Sequence, residues 1–328
     1  MNPLLPWHTD VYESLLRRFR EGSLPHALLF SGPAGIGKWQ LADVLATRML
    51  CESADVSGIA CGQCHACQLV AAETHPDLFR LHPEENSKLI RVDQIRQLIE
   101  SLTLSAHYGG YRLVLIHPAH AMNSAAANSL LKTLEEPPAN TVIILISDRP
   151  AHLPATVRSR CQLARFAVPP RQLARDWLQQ QISEGDVDNL LALSHGAPLA
   201  ACALAQEERL PQRQQMIADW QALALGQGDP VKLAGNWAKN DVRLPLEWIY
   251  GWLSDMIRLR SSVSPRLINP DARAALHNLA DGLDLIRIYD LLGRVEDAIR
   301  LQESAVNAQT LLEGILLQWC YLPHTASN

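Results

Sequence analysis

Ala27-Leu28-Leu29-Phe30-Ser31-Gly32-Pro33-Ala34-Gly35-Ile36-Gly37-Lys38-Trp39 is the stretch on which the fold turns. A short apolar run leads into a glycine-rich loop, and Gly32, Gly35, Gly37 and Lys38 have the spacing of a phosphate cradle that opens a helix. Trp39 follows the lysine, where a working loop places Ser or Thr so that a hydroxyl ligates Mg²⁺. Downstream, Arg112-Leu113-Val114-Leu115-Ile116 should deliver an acidic pair to hold that metal and activate water, but it delivers His117-Pro118. Imidazole is a poor ligand for hard Mg²⁺, and proline carries no side-chain acid or base. The cradle is kept and the hydrolytic groups are gone. Ser159-Arg160-Cys161 then supplies an arginine suited to reach a phosphate held by another chain. A glycine loop alone is often a tight turn, and a lone arginine is usually a surface cation. The order of loop, acid-less strand and arginine, each read as the end of a strand, favours the functional interpretation.

The chain has 328 residues, enough for two or three domains. Its formal net charge is −5, from 29 basic and 34 acidic residues, and a free-standing, tight DNA binder would be more basic. Contact with nucleic acid is therefore expected to be shared with other subunits. No apolar stretch is long enough to span a bilayer, and Met1-Asn2-Pro3-Leu4-Leu5-Pro6-Trp7 lacks the pattern of a signal peptide. The expected location is the cytoplasm.

Four of the seven cysteines, Cys51, Cys61, Cys64 and Cys67, lie close together, with Gly58 and Gly62 supplying turns. In a reducing compartment this spacing indicates zinc rather than disulfides. Four thiolates close a tetrahedron and leave no position for water, so the Zn²⁺ would be structural. Its local company is Glu52, Asp55, Gln63 and His65. Cys202 and Cys320 sit in apolar helical surroundings and are expected to be buried, inert thiols.

Strands are predicted at 27–30, 77–81, 113–116 and 142–146, alternating with helical periods. That alternation predicts a parallel sheet with helices on both faces. Pro169-Pro170 marks a boundary. Helices are predicted at 172–181, 187–194 and 199–207, then at 213–225, 230–239, 244–262, 271–280, 284–302 and 307–321. The expected domains are an α/β P-loop domain at 1–168 with a zinc module at 51–67, a small helical lid at 169–208, and an all-α collar for oligomerisation at 209–328. The last helix, with Trp319 and Tyr321, is the expected face for neighbours.

Asn123-Ser124-Ala125-Ala126-Ala127-Asn128-Ser129-Leu130-Leu131-Lys132-Thr133-Leu134-Glu135-Glu136-Pro137-Pro138 has no explanation in general fold rules. It resembles the signature helix of the bacterial clamp-loader subunits, AAA+ proteins that open a ring-shaped sliding clamp and place it on primed DNA. The resemblance continues through Val142 to Ser147, through Leu153 to Cys161, and into the four-cysteine module. It implies gamma/tau ATPase and delta subunits, the sliding clamp and primer-template DNA as partners. It also implies that Arg160, between Ser159 and Cys161, is an arginine finger acting in trans, with Arg158 ranked second. Leu199 stands where the family's sensor-2 arginine would be, while Ser147 and Asp148 stand at the sensor-1 strand end.

The resemblance thus implies a rigid, non-hydrolysing member of a five-membered arc in the DNA polymerase III assembly, whose own ATP binding is doubtful. Two other readings remain. One is an active AAA+ ATPase in which His117 replaces the missing acids. The other is a zinc-dependent DNA-binding scaffold.

Overall fold

The computed structural model describes residues 3–53, 58–85, 87–103, 110–183, 185–206, 209–239, 242–302 and 307–322. Asp55 and Glu207 fall outside them. The chain divides into two compact units, Met1–Ala174 and Arg175–Asn328.

In the first unit, α1 (Thr9–Arg20), β1 (Ala27–Ser31), α2 (Lys38–Leu50), α3 (His65–Ala71), β2 (Leu78–Leu81), α4 (Val92–Thr103) and β3 (Arg112–Ile116) follow in order. They are succeeded by α5 (Ser124–Glu135), β4 (Thr141–Ser147), α6 (Ala155–Arg158) and β5 (Gln162–Arg165). The five strands form one sheet in the order β2-β3-β4-β1-β5, and every pairing is parallel. The central strands are apolar throughout because both of their faces are covered. Leu29, Val114, Ile116, Ile143 and Leu145 join Ile95, Leu98 and Leu102 of α4 and Ala126, Leu130 and Leu134 of α5 in one cluster. The alternate residues face α2, which packs on β3 and β4.

Three sequence expectations change here. The strand expected at 77–81 begins at Leu78. β5 was not anticipated, because it is an edge strand whose Gln162, Leu163 and Arg165 are exposed, so it has no apolar run to signal it. Arg160 does not end a strand: it lies between α6 and β5, in the turn that carries the chain from β4 to the sheet edge.

Helix α7 (Arg171–Gln181) starts directly after Pro169-Pro170 and runs across the division between the units. The second unit continues with α8 (Val187–Leu193), α9 (Pro198–Gln206), α10 (Arg209–Ala224), α11 (Pro230–Trp237), α12 (Arg243–Ser261), α13 (Arg273–Asp281), α14 (Leu285–Leu301) and α15 (Ala308–Cys320). Pro211 lies inside the first turn of α10 rather than before the helix, where its missing N–H costs nothing. At the core, Trp220 and Trp319 stack with ring centroids 4.2 Å apart, and Trp319 Nε1 donates to Trp220 O at 2.9 Å. Trp319 is fully buried and offers nothing to a neighbour, whereas Tyr321 is 81% exposed. Cys202 and Cys320 are half-buried rather than enclosed. Among the described residues, no single helix is long and apolar enough to cross a membrane.

Candidate functional site

The glycine-rich loop joins β1 to α2, where the sequence places it. Gly37 adopts φ 88° as the residue before α2, a left-handed conformation that a side chain resists. A Cβ on Gly32 would lie 2.3 Å from Phe166 O, so the chain after β5 also requires a glycine there. Gly32, Gly35, Gly37 and Lys38 are thus brought together in a P-loop-like turn.

Lys38 is turned inward and is only 4% exposed. Its Nζ donates to Gly32 O at 2.8 Å and to Pro33 O at 2.5 Å, and pairs with Asp148 Oδ1 at 2.5 Å. The cation that would meet phosphate is engaged by the loop's own carbonyls and by an acid beyond β4. Burial lowers its pKa from the usual lysine value, and Asp148 opposes that shift. His8 is buried beside it, in edge-to-face contact with Phe166 at 5.4 Å. Burial first, and the charge of Lys38 second, push His8 down to about 4, which keeps it neutral at physiological pH.

Trp39 occupies the position after the lysine with an indole rather than a hydroxyl. Its ring centroid lies 4.7 Å from that of His82 and 5.5 Å from that of His117. Burial, ahead of the neighbouring charges, lowers the pKa of His117, at the end of β3, below the usual histidine value. Aromatic rings therefore pack together after the loop lysine and at the end of β3, with no hydroxyl or carboxylate at positions 39, 117 and 118. Ser147 is fully buried; His120 Nδ1 lies 3.0 Å from its Oγ, and the N–H of Arg149 donates to that oxygen at 3.1 Å. Its hydroxyl is committed within the chain rather than directed at water.

Arg160 lies beside the end of α5. Its Nε donates to Glu135 Oε1 at 2.6 Å, its Nη2 also bonds that oxygen, and its Nη1 donates to Thr156 O at 2.9 Å. Ser159 Oγ bonds to Thr156 O at 3.1 Å. Arg158 is exposed.

The four cysteines converge. Their sulfurs all lie within 4.8 Å of one another, with Cys51 to Cys64 at 3.9 Å and Cys61 to Cys67 at 4.0 Å. A tetrahedron of Zn–S bonds requires sulfurs about 3.8 Å apart, so these thiolates can hold a metal ion and suit zinc. The N–H groups of Cys61 and Cys64 point at Cys51 Sγ and Cys61 Sγ, each at 3.3 Å. Such donors favour thiolates: the N–H of Gln63 first, then that of Cys64, draw Cys61 down to about 6. Tyr12 Oη and Arg48 Nε both donate to Gly58 O, at 2.7 and 3.0 Å, and so tie the module to α1 and α2.

Two side-chain partnerships escaped the sequence reading. Glu135 belongs to the signature stretch, but its contact with Arg160 spans two separate elements. Asp148 stands at an expected sensor position, yet nothing in its neighbours announces a bond to Lys38.

A family profile described as "DNA polymerase III, delta subunit" matches residues 7–170, and one described as "DNA polymerase III, delta subunit, C terminal" matches residues 207–320. The DNA polymerase III subunit delta' of Pseudomonas aeruginosa is 37% identical over 98% of this chain and 99% of its own. That of Escherichia coli K12 is 34% identical over 95% of this chain and 94% of its own. Among solved structures, a DNA polymerase III gamma subunit-related protein of Thermotoga maritima has a TM-score of 0.46 at 16% identity, covering 94% of this chain and 98% of that one. With both matched segments and near-complete alignment to the curated relatives, the chain belongs to the delta' subunits of DNA polymerase III, in the clamp-loader family.

Proposed function

We propose that this delta' subunit is a non-hydrolysing member of its clamp loader that lends Arg160 to ATP bound in an adjacent motor subunit. The observation that carries the reading is an asymmetry within one domain. The chain's own loop has Lys38 bound to Gly32 O, Pro33 O and Asp148, with Trp39 and His117 in place of metal ligands. Arg160, by contrast, sits near the surface with its side chain 33% exposed, on a turn built by α6. A guanidinium supplied from outside stabilises charge on the transferred phosphoryl group.

ATP in the neighbouring site would favour a spiral arrangement that matches the clamp and primer-template DNA, and hydrolysis would release both. The gamma/tau and delta subunits are the expected partners. The helices from Arg209 onward form the collar in this reading, those of 169–208 the lid, and the four cysteines hold a structural Zn²⁺ that orders the segment between α2 and α3. The protein would act in the cytoplasm.

Arg160→Ala in a reconstituted loader tests the finger. Assembly should be preserved while DNA-stimulated ATP turnover falls. Loss of two charge-assisted hydrogen bonds at about 1.5 kcal/mol each corresponds to roughly a hundredfold at the site served by this subunit. Unchanged turnover refutes the finger. Mg²⁺-dependent turnover by the isolated chain, abolished by Lys38→Ala, refutes the non-hydrolysing assignment.

A further inference from the structure

We propose that Glu135 is the positioning residue of Arg160, holding the finger by its inner edge so that its outer edge faces a neighbour. The proposal rests on the reading of Arg160 as a finger. A guanidinium has five N–H donors. The Nε–H and one Nη2–H go to Glu135 Oε1, and one Nη1–H goes to Thr156 O. Nη1 also lies 3.5 Å from Ser159 Oγ, too long for a strong bond. Among the described residues one N–H on Nη1 and one on Nη2 remain, and both are available to the oxygens of a phosphate.

The carboxylate is itself held firmly. Glu135 is the last residue of α5, directly after Leu134, which is 1% exposed in the core. Arg160 N donates to Val157 O at 3.2 Å, and Val157 is fully buried in the same cluster as Leu134, with Cys161 packed against it. Anchor and finger are therefore each one to three residues from side chains sharing one packed core, which fixes the separation of their backbones. Asn123 caps the other end of α5, its side chain accepting from Ala126 N at 2.8 Å. Pro137-Pro138 stop the helix just beyond the glutamate, so Glu135 stands at its rim.

An ordinary surface ion pair would also bring these charges together. The difference is the edge used: Glu135 takes the Nε side and leaves an N–H on each terminal nitrogen, whereas a carboxylate placed across both terminal nitrogens would occupy them.

The test uses the complete loader reconstituted with Glu135→Ala, Glu135→Gln, Arg160→Ala or the Glu135→Ala/Arg160→Ala pair, and measures DNA-stimulated ATP turnover. Glu135→Ala should lower kcat at least threefold without changing KM for ATP, as expected when an interaction made only in the transition state is weakened. Glu135→Gln should recover most of the rate, because its carboxamide oxygen still accepts from Nε. In the Arg160→Ala background, Glu135→Ala should have no further effect. Removing a carboxylate from a helix C-terminus does not weaken the helix, so a lower rate is not a folding loss. Unchanged or increased turnover in Glu135→Ala overturns the proposal, as does a Glu135→Gln rate as low as that of Glu135→Ala, or a Glu135→Ala effect that persists in full without Arg160. If Arg160→Ala itself leaves turnover intact, the finger reading fails first. If Arg160→Ala slows turnover and Glu135→Ala does not, only the positioning role fails.

Discussion

Asp148→Asn removes the anion that faces the buried ammonium of Lys38 while keeping the shape of the side chain. The Lys38 side chain is 3% exposed and that of Asp148 is 29% exposed, with Nζ and Oδ1 2.5 Å apart. Removing one partner of a fully buried pair costs about 3–5 kcal/mol. Partial exposure of Asp148 and the remaining carbonyls of Gly32 and Pro33 reduce this, to roughly 1.5–3 kcal/mol at neutral pH. The pH dependence adds a second signature. Burial holds the pKa of Lys38 below its unfolded value, so between the two values the unfolded chain binds more protons and stability rises with pH. Without Asp148 the folded value falls further, because Asp148 was raising it. The window in which stability climbs therefore extends to lower pH, and the deficit of the variant should be present at neutrality and shrink as the pH rises toward the unfolded lysine value. Amide hydrogen exchange of the segment 31–50, measured across urea and pH, gives the local opening free energy without assuming that both units unfold together. A deficit below about 0.5 kcal/mol at pH 7, or one that grows with pH, refutes an ion pair that locks the loop.

Trp39→Thr restores the hydroxyl after the loop lysine, yet hydrolysis should stay at background in a phosphate-release assay, since His117-Pro118 still supplies no acid; robust Mg²⁺-dependent release by this single variant would show that the loop lacks only one ligand. Purified protein should carry about one zinc per chain by elemental analysis, and Cys61→Ser should lose most of it. That variant should release the protection of residues 58–67 from proteolysis while the sheet keeps its cooperative unfolding, because the module is tied to the body through Gly58 rather than through the strands.

The centre of the sheet was legible because buried parallel strands show themselves as unbroken apolar runs: β1, β3 and β4 all do so. The edge was not. β5 has Leu163 as its largest apolar residue, 44% exposed, and its pairing with β1 is decided by tertiary placement rather than by its own sequence. Helix faces were read less well than helix positions. Trp319 and Tyr321 differ by two residues, roughly 200° around a helix, so one is stacked on Trp220 and the other exposed, and a list of aromatic residues does not separate them. At the site, the departures from the working-loop pattern were readable residue by residue: Trp39 stands where that pattern has Ser or Thr, and His117 where it has an acid. The new partnerships were not, because Lys38 with Asp148 and Arg160 with Glu135 join residues from different elements. Only the sheet order and the packing of α5 against α6 bring them together. The cysteines were legible for the opposite reason, since three of the four lie within one turn and the start of one helix.

The most direct measurement is a structure of the complete loader with clamp, primed DNA and a non-hydrolysable ATP analogue, giving the distance from the Arg160 guanidinium to the terminal phosphate in the adjacent motor subunit. The account predicts a charge-assisted contact of about 2.7–2.9 Å from Nη1 or Nη2, with Glu135 still on Nε. A guanidinium more than roughly 6 Å from every triphosphate, beyond the reach of direct or single-water hydrogen bonding, would contradict it.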